Sequence, residues 1–422
     1  MNIYTLIILF VIIVVYLIET TAELFNVKNI SNNIPPEFDG YFDREKYSKA
    51  QEYLKANTKF SIISSTFFLT AQIIFIVSRG FNYVNTIAVS FGFETVLTGL
   101  VFAGIIFFAF EILKIPFSAY SVFVIEENFG FNRMNVKTFI SDLLKSWIIT
   151  AVIGAVIFAA VLWLFANVCG HAWLYAFATI VIFELFITFI APVAIMPLFN
   201  KYTPLEDGEL KNSVEEYAKK ENFKMKGLFK MDGSKRSAKS NAFFTGFGRF
   251  RRIVLFDTLI QKHTVDELTS ILAHEMGHFK LGHIVKHIIF SFVLSGIMLF
   301  VFSLLIDKVW LYDAFFMRTQ PIYAGIIFFS FLYTPVSLII STVSNYFSRK
   351  HEYEADFYAV ATYKKPQAMI NALKKLSVDN MSNLYPHKFK VFLEYLHPPV
   401  MERIKAINRA VSSEKSKNFS VY

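Results

Sequence analysis

Seven apolar runs, each long enough to cross about 30 Å of hydrocarbon, alternate with polar stretches along the chain. They lie at roughly 3–22, 60–78, 95–113, 147–168, 173–196, 288–306 and 322–343. The pattern predicts an all-α polytopic membrane protein with seven transmembrane helices. The first run lacks a basic leader after Met1 and Asn2 and exceeds the usual apolar core of a signal peptide, so it reads as a retained span. Two long polar segments interrupt the series and divide the chain into four parts. These are 1–199 with spans one to five, 200–287, 288–343 with spans six and seven, and 344–422.

Within the polar parts, 210–221 has a helical pattern, and 240–245 and 252–256 read as two strands around the turn-prone Gly246-Phe247-Gly248. Thr264, with Glu267 three residues on, forms a capping box that opens a helix expected to run on into span six. The charged stretch 35–59, helical in its second half, is expected to link spans one and two as a solvated helix.

Composition agrees with a membrane protein: of 422 residues 55% are hydrophobic, 18% are charged and 49 are Phe. The net charge of +9 raises the question of nucleic acid, but in a multi-span chain positive residues are chiefly an orientation signal. The loops after spans one, three and five and the tail lie on one side. They hold Lys28, Arg44, Lys46, Lys49, Arg133, Lys137, the basic run from Lys201 to Lys286, and Arg349 onward. The other side has little beyond Arg79, Lys308 and Arg318. The expected partners are therefore a lipid bilayer and no nucleic acid. The N-terminus is expected outside or in a lumen and both long polar segments in the cytosol, at a bacterial inner membrane or the endoplasmic reticulum. Cys169 stands alone, so no disulfide forms within one chain.

The chemistry concentrates at residues 274–278, His-Glu-Met-Gly-His. On a helix His274 and His278 share a face and can offer two imidazoles to one Zn2+ ion, with Glu275 beside them. Catalytic zinc takes a third protein ligand and keeps an open position for water. Glu352 is the candidate. It lies about nine residues past span seven, at the height His278 holds about ten residues before span six, and Asp356 follows four residues later to accept an N–H from a ligating histidine. Where a metzincin pattern would place Gly and His, the chain has Leu281 and Ile284, so that variant is rejected. Asp257, Asp266 and Glu267 read as strand-end and helix-start residues. His283 and His287 repeat the spacing and read as polar residues where the helix enters the membrane.

These residues resemble the type I CAAX prenyl endopeptidases, integral membrane zinc metallopeptidases with seven spans. The likeness extends from HEMGH at 274–278 to SRKHEYEAD at 348–356, GSKRSAKSNAFFTGF at 233–247, RRIVLFDTL at 251–259, PLFNKYTPLEDGEL at 197–210, PFSAYSVFVIEENFGFN at 116–132 and HPPVMERI at 397–404. The resemblance implies a cytosolic gluzincin-type α+β catalytic region, one Zn2+ per chain on His274, His278 and Glu352, and Asp356 behind them. It also implies Asn241 on a substrate-pairing strand, His397 and Arg403 lining the site, and a large water-filled chamber among the spans. Two departures stand out: His351 precedes Glu352 where the family has an aromatic residue, and Lys239 precedes Ser240-Asn241 where it has a histidine.

The expected reaction is hydrolysis of a protein or peptide substrate, with CAAX-type removal of C-terminal residues from prenylated proteins. Glu275 is the expected base and acid, His397 the group facing the oxyanion, and Arg403 an anchor for a carboxylate or backbone. Broad proteolysis of membrane proteins is the alternative within this class. A transporter with an incidental HExxH is the alternative outside it, but no inverted repeat is present. Glu19, Glu111 and Glu184 fall within apolar runs and should face water, an interior cavity or one another.

Overall fold

The computed structural model describes residues 1–168, 170–245 and 252–419, so Cys169 and the expected turn at Gly246-Phe247-Gly248 lie outside the described residues. Among the described residues seven helices are long and apolar enough to cross a membrane: Ile3–Lys28, Arg44–Val77, Thr95–Glu126, Val136–Asn167, Ala172–Leu198, His283–Leu305 and Ile322–Tyr363. They match the seven expected spans in number and order. The second begins at Arg44, where the Asp43 side chain accepts the Lys46 N–H at 2.7 Å as an N-cap. The charged stretch read as a separate linking helix is therefore the first part of that span, continuous with its apolar part.

Each spanning helix touches the next, and the first touches the seventh. Between 0% and 22% of the apolar window of each span is buried inside the protein. Sparse burial of this kind belongs to a ring of helices around an open interior, because a packed bundle would bury one stripe of every helix. One end of the ring is closed by a packed apolar core that includes Phe81, Phe102, Tyr312, Phe315 and Phe328, with Phe315 stacked on Phe328 at 4.1 Å. Of the acids within the spans, Glu111 accepts from Trp147 Nε1 at 2.9 Å and Glu184 from Ser291 Oγ at 2.9 Å, both across neighbouring helices, while Glu19 is exposed.

The other end carries a small sheet and the helix that holds His274 and His278. Four strands, β1 (Tyr202–Pro204), β2 (Gly227–Met231), β3 (Ala242–Thr245) and β4 (Arg252–Phe256), form a sheet in the order β1-β2-β4-β3. The expected hairpin is the antiparallel pair of β3 and β4, with Ala242 opposite Leu255, and it leaves β3 at the sheet edge. β2 runs parallel to β4 and extends the sheet beyond that hairpin. Leu228 of β2 and Ile253 and Leu255 of β4 pack with Leu268, Leu272 and Met276 on the helix Val265–Lys280. That helix opens on the expected capping box, with Thr264 N–H donating to Glu267 at 2.9 Å and Glu267 N–H to Thr264 Oγ1 at 3.3 Å. It does not run on into the sixth span: Gly282, at φ 71, adopts the left-handed conformation and separates it from His283–Leu305.

Candidate metal centre

The helix Val265–Lys280 lies against the part of the seventh span that projects beyond the membrane-length segment. Their closeness depends on Gly277, where a Cβ would stand 3.2 Å from Ala355 Cα and 3.1 Å from the Tyr358 ring. With no side chain there, Glu352 reaches both histidines: Oε1 is 3.2 Å from His278 Nε2, and Oε2 is 3.5 Å from His274 Nε2. The two imidazole Nε2 atoms are 3.1 Å apart. His274, His278 and Glu352 thus present three ligand atoms within 4.8 Å of one another, and Glu275 stands half-buried next to them.

Behind this cluster, His274 Nδ1 donates to Asp356 Oδ1 at 2.8 Å, which turns Nε2 toward Glu352. Arg403 Nε and Nη2 close on the two Asp356 oxygens at 2.8 and 2.6 Å, and Nη1 lies 3.2 Å from Glu352 Oε2. The geometry fits a metal ion. Glu352 Oε2 is buried and has no hydrogen bond despite its charged neighbour, and two imidazole nitrogens with a carboxylate suit an imidazole-preferring divalent ion. Burial disfavours a charged His274 ring, yet the Asp356 and Glu352 carboxylates outweigh it and raise the ring to about 9, so the pocket favours positive charge between these groups. Burial pushes the Glu275 carboxyl upward, against the pull of His274 and His278.

Asn241, His397 and Arg403 line one cleft of about 610 Å³, together with Asn380 and Tyr395. His397 is exposed, with Nε2 3.4 Å from Glu352 Oε1, at the open side of the cluster. Asn241 precedes β3, and its carbonyl accepts the Phe256 N–H at 3.1 Å. Sequence reasoning missed Asn380. Its Oδ1 accepts the Ser240 N–H at 3.1 Å and its Nδ2 donates to the Ser240 carbonyl at 3.2 Å, so a side-chain amide takes the place of a strand partner just ahead of β3. A lone Asn after a helix carries no spacing that could have revealed this.

The rejected ligand candidates have other partners. Asp257 accepts the Ser234 N–H at 2.9 Å, Glu267 completes the capping box, and Asp266 binds Lys365 Nζ at 2.7 Å. Lys239 turns to Tyr53 OH at 2.8 Å and Glu126 at 2.9 Å, tying the residues before β3 to the second and third spans.

A seven-span chain with an HExxH helix and a carboxylate level with it defines the class of membrane-embedded metallopeptidases. Two family descriptions match in series: "CAAX prenyl protease N-terminal, five membrane helices" over residues 23–201 and peptidase family M48 over 204–411. CAAX prenyl protease 1 of Saccharomyces cerevisiae is 34% identical over 411 residues, covering 91% of this chain and 90% of that one. The CAAX prenyl protease 1 homolog of Homo sapiens is 30% identical, with 93% of each chain covered. Among solved structures, the crystal structure of S. mikatae Ste24p matches with a TM-score of 0.91 at 34% identity, over 96% of this chain and 99% of that one. The chain belongs to peptidase family M48. The resemblance read from the sequence and the enzyme class it implied, a multi-pass membrane metalloprotease, are thereby borne out.

Proposed function

We propose that the protein is a zinc endopeptidase acting at the cytosolic face of its membrane, with His274, His278 and Glu352 as zinc ligands and prenylated proteins as substrates. The observation that carries this reading is the convergence of two imidazole nitrogens and a buried, unbonded carboxylate oxygen beside Glu275. Zinc, when bound, supplies a Lewis acid that polarises the scissile carbonyl and makes water acidic near neutral pH. Glu275 takes the proton of the attacking water and returns it to the leaving amine. Asp356, clamped by Arg403, keeps the His274 proton on Nδ1 and Nε2 free. His397 donates toward the developing oxyanion from the open side of the cluster.

The edge of β3 accepts an extended peptide through main-chain hydrogen bonds, with Asn241 at its entrance. Residues 1–199 and 288–343 form the membrane part on this reading, and 200–287 and 344–422 the catalytic part. The side on which the basic residues collect supports a cytosolic catalytic part. The prenylated substrate class is supported by the names of the relatives, CAAX prenyl protease 1 in fungi and its homologs in animals and plants.

The test uses the purified full chain. Wild type should hold one zinc, and Glu275→Gln should keep it while losing cleavage by roughly 100- to 10,000-fold. A protein without stoichiometric zinc, or a Glu275→Gln variant cleaving at the normal rate, would sink the mechanism. Equal cleavage of a farnesylated C-terminal peptide and its unprenylated twin would sink the substrate assignment alone.

A further inference from the structure

His283 follows His278 by five residues, and on a continuous helix such residues point about 140° apart. The left-handed turn at Gly282 resets the direction and brings His283 Nδ1 to 3.1 Å from His278 Nδ1. His283 is 1% exposed, so it is no interfacial polar residue as the sequence implied. Its other nitrogen, Nε2, lies 2.9 Å from Glu354 Oε2. Glu354 is half-buried at the outer end of this series.

Tautomers fix the direction of the series. A neutral imidazole has one N–H and one lone pair. If His278 offers its Nε2 lone pair to a metal, its Nδ1 carries the proton and donates to His283 Nδ1. His283 must then carry its own proton on Nε2 and donate to Glu354. We infer that His283 and Glu354 are positioning residues, a histidine–carboxylate relay that locks His278 in its metal-binding tautomer. The inference rests on the reading of His278 as a metal ligand. His274 meets its carboxylate, Asp356, directly, whereas His278 reaches Glu354 through a second ring.

Distance alone would also allow His283, His351 and Glu354 to hold an ion of their own, since they offer ligand atoms within 4.8 Å. Two facts oppose it. The His283 and His351 rings are stacked 4.0 Å apart at 12°, so their in-plane lone pairs lie in separate, nearly parallel planes and do not meet at one point. In addition, a neutral His283 that accepts from His278 has no second lone pair to give. His351 acts as a flat ring that holds the plane of His283, as the aromatic residue usual at this position in the family would.

The test measures zinc affinity of the full chain by competition with a chromophoric chelator. Thermal unfolding of each chelator-treated variant confirms that it is folded. His283→Leu, which removes both contacts, should weaken zinc binding about 10- to 100-fold. His283→Asn, whose side-chain carbonyl can still accept from His278 Nδ1–H, should recover most of that loss, which a purely packing role for the ring would not predict. Glu354→Gln, at a half-buried position with little risk to the fold, should weaken binding by a few-fold. Wild-type affinity in both His283→Leu and Glu354→Gln would overturn the relay. So would a second zinc equivalent in wild type that His283→Leu abolishes, because His283 would then be a ligand. Absence of zinc from wild type would instead overturn the ligand assignment of His278.

Discussion

Arg403 grips Asp356 through two nitrogens, Nε to Oδ2 at 2.8 Å and Nη2 to Oδ1 at 2.6 Å, and both side chains are buried, at 9% and 2% exposure. A planar guanidinium makes this two-point contact and an ammonium cannot. Arg403→Lys keeps at most one of the two contacts to Asp356 and gives up the guanidinium nitrogen beside Glu352. The variant should lose about 3 kcal/mol of stability in detergent unfolding, and zinc affinity should fall about 10- to 100-fold in chelator competition. A variant with unchanged zinc affinity would separate Arg403 from the metal site.

Gly277 sets the gap between the two helices that carry the three candidate ligands. A side chain there would meet the Tyr358 ring at 3.1 Å and Ala355 Cα at 3.2 Å, and the second is a backbone atom that cannot rotate away. Gly277→Val should therefore force the helices apart, lowering stability by about 1–3 kcal/mol and zinc occupancy at limiting metal. Gly277→Ala should do less, because Ala favours the helix while meeting the same contact. Metal content and melting temperature, measured together across Gly, Ala and Val, should fall in that order of size.

The Asn380 amide bonds both backbone groups of Ser240 and aligns the chain that enters β3. Asn380→Ala removes both bonds without touching the metal cluster. About 1–2 kcal/mol of alignment should be lost, read as a rise in KM of roughly 5- to 30-fold at unchanged zinc affinity. Loss of zinc would instead place Asn380 in support of the metal helix.

His263 is buried just before the capping box, with Nδ1 donating to the Leu259 carbonyl at 3.2 Å. Burial lowers its pKa from 6.5. The unfolded chain therefore binds a proton at a pH where the folded chain does not, and stability falls as pH drops through about 6.5. His263→Phe should flatten that slope in melting curves taken between pH 5 and pH 7.5. An equally steep slope in the variant would assign the acid sensitivity to other groups.

Signals carried by neighbouring residues were legible in the sequence. The seven spans follow from uninterrupted apolar length, the capping box from Thr264 and Glu267, and the β3–β4 hairpin from two β-rich runs around a glycine pair. β1 and β2 were not legible. They are three and five residues long, and β2 pairs in parallel with β4 from 25 residues away, so no local turn announces it. The break at Gly282 was hidden because one glycine inside a continuing apolar pattern is compatible with a helix. That miss also hid the meeting of His283 with His278, since helical spacing alone points them apart. Glu352 was readable from matched height along two helices, whereas Asn241, His397 and Arg403 entered only through the resemblance. Asn380 was not legible because its contact depends on the fold bringing together residues 140 apart.

The seventh span is one unbroken helix from Ile322 to Tyr363, so Glu352 stands a fixed distance, roughly 14 Å, beyond the end of the continuous apolar run near Val343. A rigid post of this kind is a depth gauge. A peptide anchored in the same bilayer by a lipid can bring to the cluster only those bonds that lie one post-length from its anchor. The place of the cut would then be chosen by distance from the membrane as much as by the residues on either side.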